Sequence, residues 1–117
     1  MKSPSDAQLL RIFIGESDKY RGRPLYEAIV LLAREHDIAG ATVVRGIMGF
    51  GAHSRMHTAK LLRLSEDLPM VIEIVDKPDK IQDILPELDQ MIEEGLVTLE
   101  PIKVISYRNT KNKNSKL

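Results

Sequence analysis

The chain has 117 residues, enough for one compact domain and too few for two ordinary ones. Its 17 basic and 17 acidic side chains cancel, which argues against a nucleic-acid binder held mainly by phosphate neutralisation. It has no cysteine, which excludes disulfides, thiol catalysis and Cys-ligated zinc, and no apolar run approaches the roughly 18 residues of a membrane-spanning helix.

Residues 1–7 carry no apolar signal-peptide core and are expected to form a flexible N-terminus on a cytoplasmic protein. Leu9 to Ile14 is rich in β-formers and predicts a first strand, ended by Gly15. Glu16 to Arg23 reads as a charged loop. Pro24 then stands where helices commonly begin, and Leu25, Ala28, Ile29, Leu32 and His36 follow at helical spacing. That helix should stop near Asp37, with His36 interacting with its terminal carbonyls and Gly40 marking the turn.

Thr42 to Met48 predicts a second strand, and Leu61 to Leu64 the return limb of the loop beyond it. Pro69 to Val75 is the clearest strand pattern in the chain. Asp76 or a neighbour can cap the next helix, with Pro78 in its first turn and Ile81, Ile84, Leu85, Leu88, Met91 and Ile92 as its apolar stripe. Pro86 lacks an N–H and crowds the carbonyl of Gln82, so a kink or a late start is expected. Gly95 suits a position just past the helix end. Leu96 to Ile105 supplies the last strand or strands, broken at Pro101, and residues 109–117 have almost nothing to bury and read as a disordered tail.

The order β-α-β-loop-β-α-β predicts an α+β, ferredoxin-like βαββαβ fold over residues 8–108, an antiparallel sheet with two helices on one face. The other face is informative. Leu9, Arg11 and Phe13 alternate with Leu10, Ile12 and Ile14, and Val71, Glu73 and Val75 alternate with Met70, Ile72 and Ile74. Both sides of both strands are apolar, and two helices cover only one. The remaining patch exceeds what soluble monomers usually expose, so oligomerisation through the sheet is expected. Arg11 and Glu73 either pair across adjacent strands there or reach solvent at the rim.

Between the second and third predicted strands, Gly46, Gly49 and Gly51 punctuate a loop that continues through residues rich in Ser, Arg and His. With Arg45, Arg55, Lys60 and Arg63 nearby, the segment reads either as an anion site with backbone amides facing a ligand or as a solvated basic loop. Lys19, Arg21 and Arg23, just before the first helix, form a second basic cluster, read as a charged loop rather than a phosphate cradle for want of a fixed motif. His53 and His57 stand four apart and can share a metal if the loop is helical, with Glu66 or Asp67 as an added carboxylate. Ser17, Ser54 and Ser65 have no elbow-like setting, and Glu16 and Glu73 no visible acid–base partner, so no enzyme is expected.

Gly40-Ala41-Thr42-Val43, then Gly49-Phe50-Gly51, then Val71-Ile72-Glu73-Ile74-Val75 resemble the Gly-x-Thr-Val strand, Gly-Phe-Gly T-loop entry and Ile-Glu-Ile-Val strand of the PII-like (GlnB-like) superfamily. The patterns Ile14 to Glu16, Gly40 to Gly46, Gly49 to His53 and Leu64 to Pro69 look most like an uncharacterised bacterial branch of it. This resemblance implies a homotrimer that binds a small effector, often an adenine nucleotide, in clefts between subunits. It further implies that a T-loop-like segment, residues 50–65, regulates a partner protein such as a membrane transporter. Thr42, Arg45, Gly49, Phe50, Gly51, Arg55, Lys60, Arg63 and Arg108 are then the candidate effector-binding residues.

The chain also departs from the PII pattern. Where PII proteins carry a Gly- and Lys-rich phosphate loop, it reads Glu93-Glu94-Gly95-Leu96-Val97-Thr98. Where PII proteins end the last strand with Arg-x-Arg it has only Tyr107-Arg108, and no tyrosine lies between Ala41 and Ser106 to match the one that is uridylylated. The usual PII way of holding ATP is therefore not reproduced, and a different nucleotide, a smaller anion or no ligand all stay open. An alternative within the same architecture is a CutA-like metal-binding trimer using His53 and His57. With two Phe, three Tyr and no Trp there is no base-stacking platform, and nucleic acid is not expected as a partner.

Overall fold

Four long strands form one antiparallel sheet: β1 (Ser5–Gly15), β4 (Gly40–Arg45), β5 (Pro69–Asp76) and β6 (Leu96–Val104), lying in the order β4-β5-β1-β6. Two helices, α1 (Leu25–Glu35) and α2 (Pro78–Met91), complete the ferredoxin-like arrangement, and a short hairpin, β2 (Lys19–Tyr20) and β3 (Arg23–Pro24), precedes α1. The computed structural model describes residues 4–51 and 67–108. The expected return limb Leu61 to Leu64 and the expected tail 109–117 lie outside them.

One face of the sheet makes the core. Leu10, Ile12 and Ile14 of β1 and Met70, Ile72 and Ile74 of β5 are buried against Leu25, Ile29, Leu32 and Ala33 of α1 and Ile81, Ile84, Leu88 and Met91 of α2. The two-residue period of the strands and the 3.6-residue period of the helices meet here, and each buried Leu or Ile contributes about 1.5–3 kcal/mol of transfer free energy.

The structure revises several boundaries. β1 begins at Ser5, so residues 5–7 belong to the sheet rather than to a flexible end, and Ala7 is buried. β4 stops at Arg45 rather than Met48. β6 runs unbroken through Pro101, which pairs with Gln8; the proline is tolerated because β6 is an edge strand and needs no second partner for its missing N–H. α2 starts at Pro78 and continues past Pro86, because Gln82 and Pro86 both lie on its solvent side, where water can take the freed carbonyl.

Helix ends also differ from expectation. After the cap residue His36, Asp37 takes the left-handed conformation (φ 58), and the amides of Asp37 and Ile38 donate to the carbonyls of Arg34 and Ala33. This Schellman closure uses Asp37 for the turn and leaves Gly40 to begin β4. The His36 ring meets Glu87 of α2 at 3.0 Å instead of the helix-end carbonyls. Gly95 lies beyond the α2 cap Ile92 and meets a different constraint: a Cβ there would stand 2.8 Å from the Phe13 carbonyl oxygen. The charged loop before α1 is a type I′ hairpin, with Arg21 (φ 51) and Gly22 (φ 80) as its central residues.

Among the described residues no element covers the second face of the sheet. Leu9, Phe13, Val71 and Val75 are half-buried, and Val44 and Leu96 are 49% and 55% exposed. In its middle Arg11 donates to Glu73 at 2.8 Å and also bonds Glu100, so the expected cross-strand pair forms and gains a second acid. The hydrogen bond that Arg11 donates to Glu73 is the chief cause that raises the guanidinium above its ordinary range.

Candidate functional site

The end of β1 organises the candidate site. A tight turn closes on Gly15, whose amide donates to the Asp18 carboxylate at 3.0 Å while the Asp18 amide returns to the Gly15 carbonyl at 3.2 Å. Glu16 and Ser17 are thereby presented at the tip. The Glu16 amide donates to the Leu68 carbonyl at 2.8 Å, and the Ser17 amide to the Asp67 carboxylate at 2.9 Å. On the β4 side the Gly46 amide donates to the Pro69 carbonyl at 2.7 Å, and Arg45 Nη2 meets Glu16 Oε1 at 3.1 Å. Both ends of segment 46–68 are thus tied to each other and to the end of β1.

Gly46 must be glycine for a steric reason. A Cβ at that position would lie 2.7 Å from Pro69 Cγ and 3.2 Å from the Pro69 carbonyl oxygen. A Cβ at Gly49 (φ 156) would lie 3.3 Å from Pro69 Cγ, and one at Gly51 would meet no described atom within 4 Å. Close approach to Pro69 therefore accounts for Gly46. Beyond the tie, Ile47, Met48 and Phe50 are 89%, 67% and 72% exposed, an apolar group that sequence reasoning took for the end of a strand and the start of a loop.

The other predicted residues are spread along the sheet. Thr42 is exposed on the uncovered face, opposite Glu73. Tyr107 donates to the Ala39 carbonyl at 3.2 Å, which places Arg108 by the start of β4, whereas Arg45 is at its end. The six residues of β4 span about 17 Å between that contact and Arg45. Arg55, Lys60, Arg63, His53, His57, Ser54, Ser65 and Glu66 lie outside the described residues. Among the described residues no three His, Asp or Glu side chains gather as a metal site.

Register puts the turn that replaces the PII phosphate loop at this same end. Leu96 pairs with Phe13, and Gly15 pairs with Pro69, so Glu93 and Glu94 flank the end of the sheet that carries Arg45. Arg45 is the cation that the described loop base supplies, and Glu16 already neutralises it. The tie through Glu16 was missed in the sequence, where Glu16 stands 29 residues from Arg45.

Asp76, expected with its neighbours to cap α2, has a different structural role. It is 1% exposed, and its carboxylate accepts the Ala39 amide at 2.8 Å and the Lys77 amide at 2.7 Å. It does not cap α2, whose cap residue is Lys77. It instead joins the α1–β4 connection to the β5–α2 junction, and so holds the start of β4 whose far end carries Arg45. The charge before the helical proline was the visible signal; its destination was not.

Comparison with known proteins places this geometry. Residues 7–104 match the family model DUF190, described as Uncharacterized ACR, COG1993. A UPF0166 protein of Aquifex aeolicus is 40% identical over 98 residues, covering 84% of this chain and 92% of that protein. The UPF0166 protein of Methanocaldococcus jannaschii is 36% identical over 94 residues, covering 80% and 86%. Among solved structures, CPII, a nitrogen regulatory PII-like protein from Thiomonas intermedia K12 bound to ADP, AMP and bicarbonate, superposes with a TM-score of 0.61. It covers 87% of this chain and 91% of CPII at 17% identity, a likeness of fold.

Proposed function

This chain belongs to the DUF190 family and has a PII-like fold, and from that premise we propose that it is a homotrimeric, non-enzymatic signalling protein. It binds a small effector, an adenine nucleotide, in clefts between subunits, and reports occupancy to a partner protein through residues 50–65. A cytoplasmic regulator of a membrane transporter is the form this takes.

The observation that carries the reading is the clamped loop base: Glu16, Arg45, Gly46, Leu68 and Pro69 hold both ends of one segment at the end of a PII-like sheet. Such a base can pass the state of a nearby ligand to the segment it anchors, because its hydrogen bonds join both ends of that segment to the end of β1. Two further features support assembly. The uncovered face presents Leu9, Phe13, Val71 and Val75, which a second copy can bury. Arg45 ends β4, while Tyr107, the neighbour of Arg108, reaches the Ala39 carbonyl before its start, an arrangement that suits a site shared between two protomers. The ADP and AMP of CPII make adenine nucleotides the first effectors to test.

Isothermal titration with ADP, AMP and ATP, beside light scattering on the same sample, tests both parts. Saturable heat with one nucleotide and a mass of three chains is expected. A single-chain mass at micromolar concentration removes the inter-subunit cleft, and no heat with any of the three removes the nucleotide.

A further inference from the structure

At the centre of the uncovered face one guanidinium serves two carboxylates. Arg11 of β1 donates from Nε to Glu73 of β5 at 2.8 Å and from Nη1 to Glu100 of β6. The side chains of Arg11, Glu73 and Glu100 are 37%, 36% and 49% exposed, so water solvates them in the single chain. Register sets apolar residues on both sides of them: Leu9 pairs with Val75 on one side of Arg11, and Phe13 with Val71 and Leu96 on the other. A cover that buries Leu9, Phe13, Val71 and Val75 must also bury the triad that lies between them.

Charge decides what that burial requires. One cation against two acids leaves a surplus of one negative charge. Side chains alternate along a strand, so β4 brings Thr42 and Val44 to this face and β6 brings Leu96, Thr98 and Ile102, none of them charged. The alternation sends Asp6 and Lys103, which pair with each other, to the opposite face. Both helices pack there too, and with them the His36–Glu87 pair. A second copy that meets this face with its own brings the same three charged residues and the same surplus, so it adds to the imbalance. A charge taken out of water without a partner is strongly disfavoured, and a proton on one carboxylate removes it.

We infer that self-association through this face takes up one proton per chain, held on the Glu73–Glu100 pair. The inference rests on the proposed assembly of copies through that face and adds its regulation. Assembled chains bind more protons than separate ones, so assembly tightens as pH falls and loosens as pH rises. A protonated carboxyl keeps acceptor capacity for Arg11, so the network survives its neutralisation. Glu100, on an edge strand and the more exposed of the two acids, is the freer to take the proton.

The test is sedimentation equilibrium of the full chain at fixed ionic strength, from about pH 8 down to about pH 5.5, above the ordinary glutamate range. The concentration for half-assembly should fall at least about tenfold over that interval. Glu100→Gln and Glu73→Gln each remove the surplus charge and keep an acceptor for Arg11. Each variant should assemble at about pH 8 as tightly as the wild type does at about pH 5.5, with a flat profile between. Histidines titrate in the same interval, and a pH dependence kept in full by both variants would belong to them and overturn the inference. A stable wild-type assembly with a flat profile would overturn it and leave the assembled reading standing. Tight assembly restored at about pH 8 by magnesium would overturn it as well, because a metal cation would then stand in the place given to the proton. A single-chain mass at every pH removes the inference and the assembled reading together.

Discussion

Replacing Asp76 is the sharpest test of how the fold holds the candidate site. Its carboxylate is 1% exposed and accepts two amide protons, from Ala39 at 2.8 Å and Lys77 at 2.7 Å. Asp76→Ala removes both acceptors. Lys77 is exposed, so its amide can turn to water, but Ala39 is partly buried and its N–H is left without a partner. A buried donor so orphaned costs about 1–3 kcal/mol, and a bond to a charged group about 1.5–3 kcal/mol, so a loss of roughly 2–4 kcal/mol follows. With a urea slope of about 2 kcal/mol/M, the midpoint should fall by about 1–2 M with the slope unchanged. Asp76→Asn keeps one acceptor and should fall between. The measurement is urea unfolding followed by far-UV circular dichroism at one protein concentration, since assembly would move the midpoint with concentration. Hydrogen exchange at the Ala39 amide should accelerate in parallel. A midpoint within about 0.3 M of wild type, with Ala39 still protected, would refute the argument that this carboxylate ties the two junctions together.

Three more outcomes follow from the same contacts. Gly95→Ala sets a Cβ 2.8 Å from the Phe13 carbonyl and 3.1 Å from Ile14 Cγ2, both in the central strand, so a loss of about 1–3 kcal/mol is expected in thermal unfolding. Phe13→Glu places a charge on the uncovered face, away from the core; light scattering should report a shift toward single chains while the circular dichroism spectrum is kept, and an unchanged mass would show that this face is not the contact. Glu16→Gln releases Arg45 from its 3.1 Å ion pair. The pair is partly exposed, so the stability change should stay within about 1 kcal/mol, and nucleotide affinity in low salt should rise a few-fold, an increase that added salt removes.

Read alone, the residues determined the secondary-structure types, their order and the presence of a second apolar face. The two-residue alternation of Leu9 to Ile14 and Met70 to Val75 and the helical stripe from Ile81 to Met91 are local patterns, set by which side chains must leave water. The motifs from Gly40 to Gly51 and from Val71 to Val75 were enough to suggest the PII-like fold that the comparison structures share.

Tertiary structure decided whatever depended on distant partners. Pro101 ends no strand because β6 is an edge, and Pro86 ends no helix because it faces solvent. Gly46 and Gly95 are required by Pro69 and by the Phe13 carbonyl, which no local motif announces. Glu16 finds Arg45 across 29 residues, and Asp76 finds the Ala39 amide across 37. Local sequence sets which groups prefer water and which do not; only the closed chain sets which donor stands within hydrogen-bond reach of which acceptor.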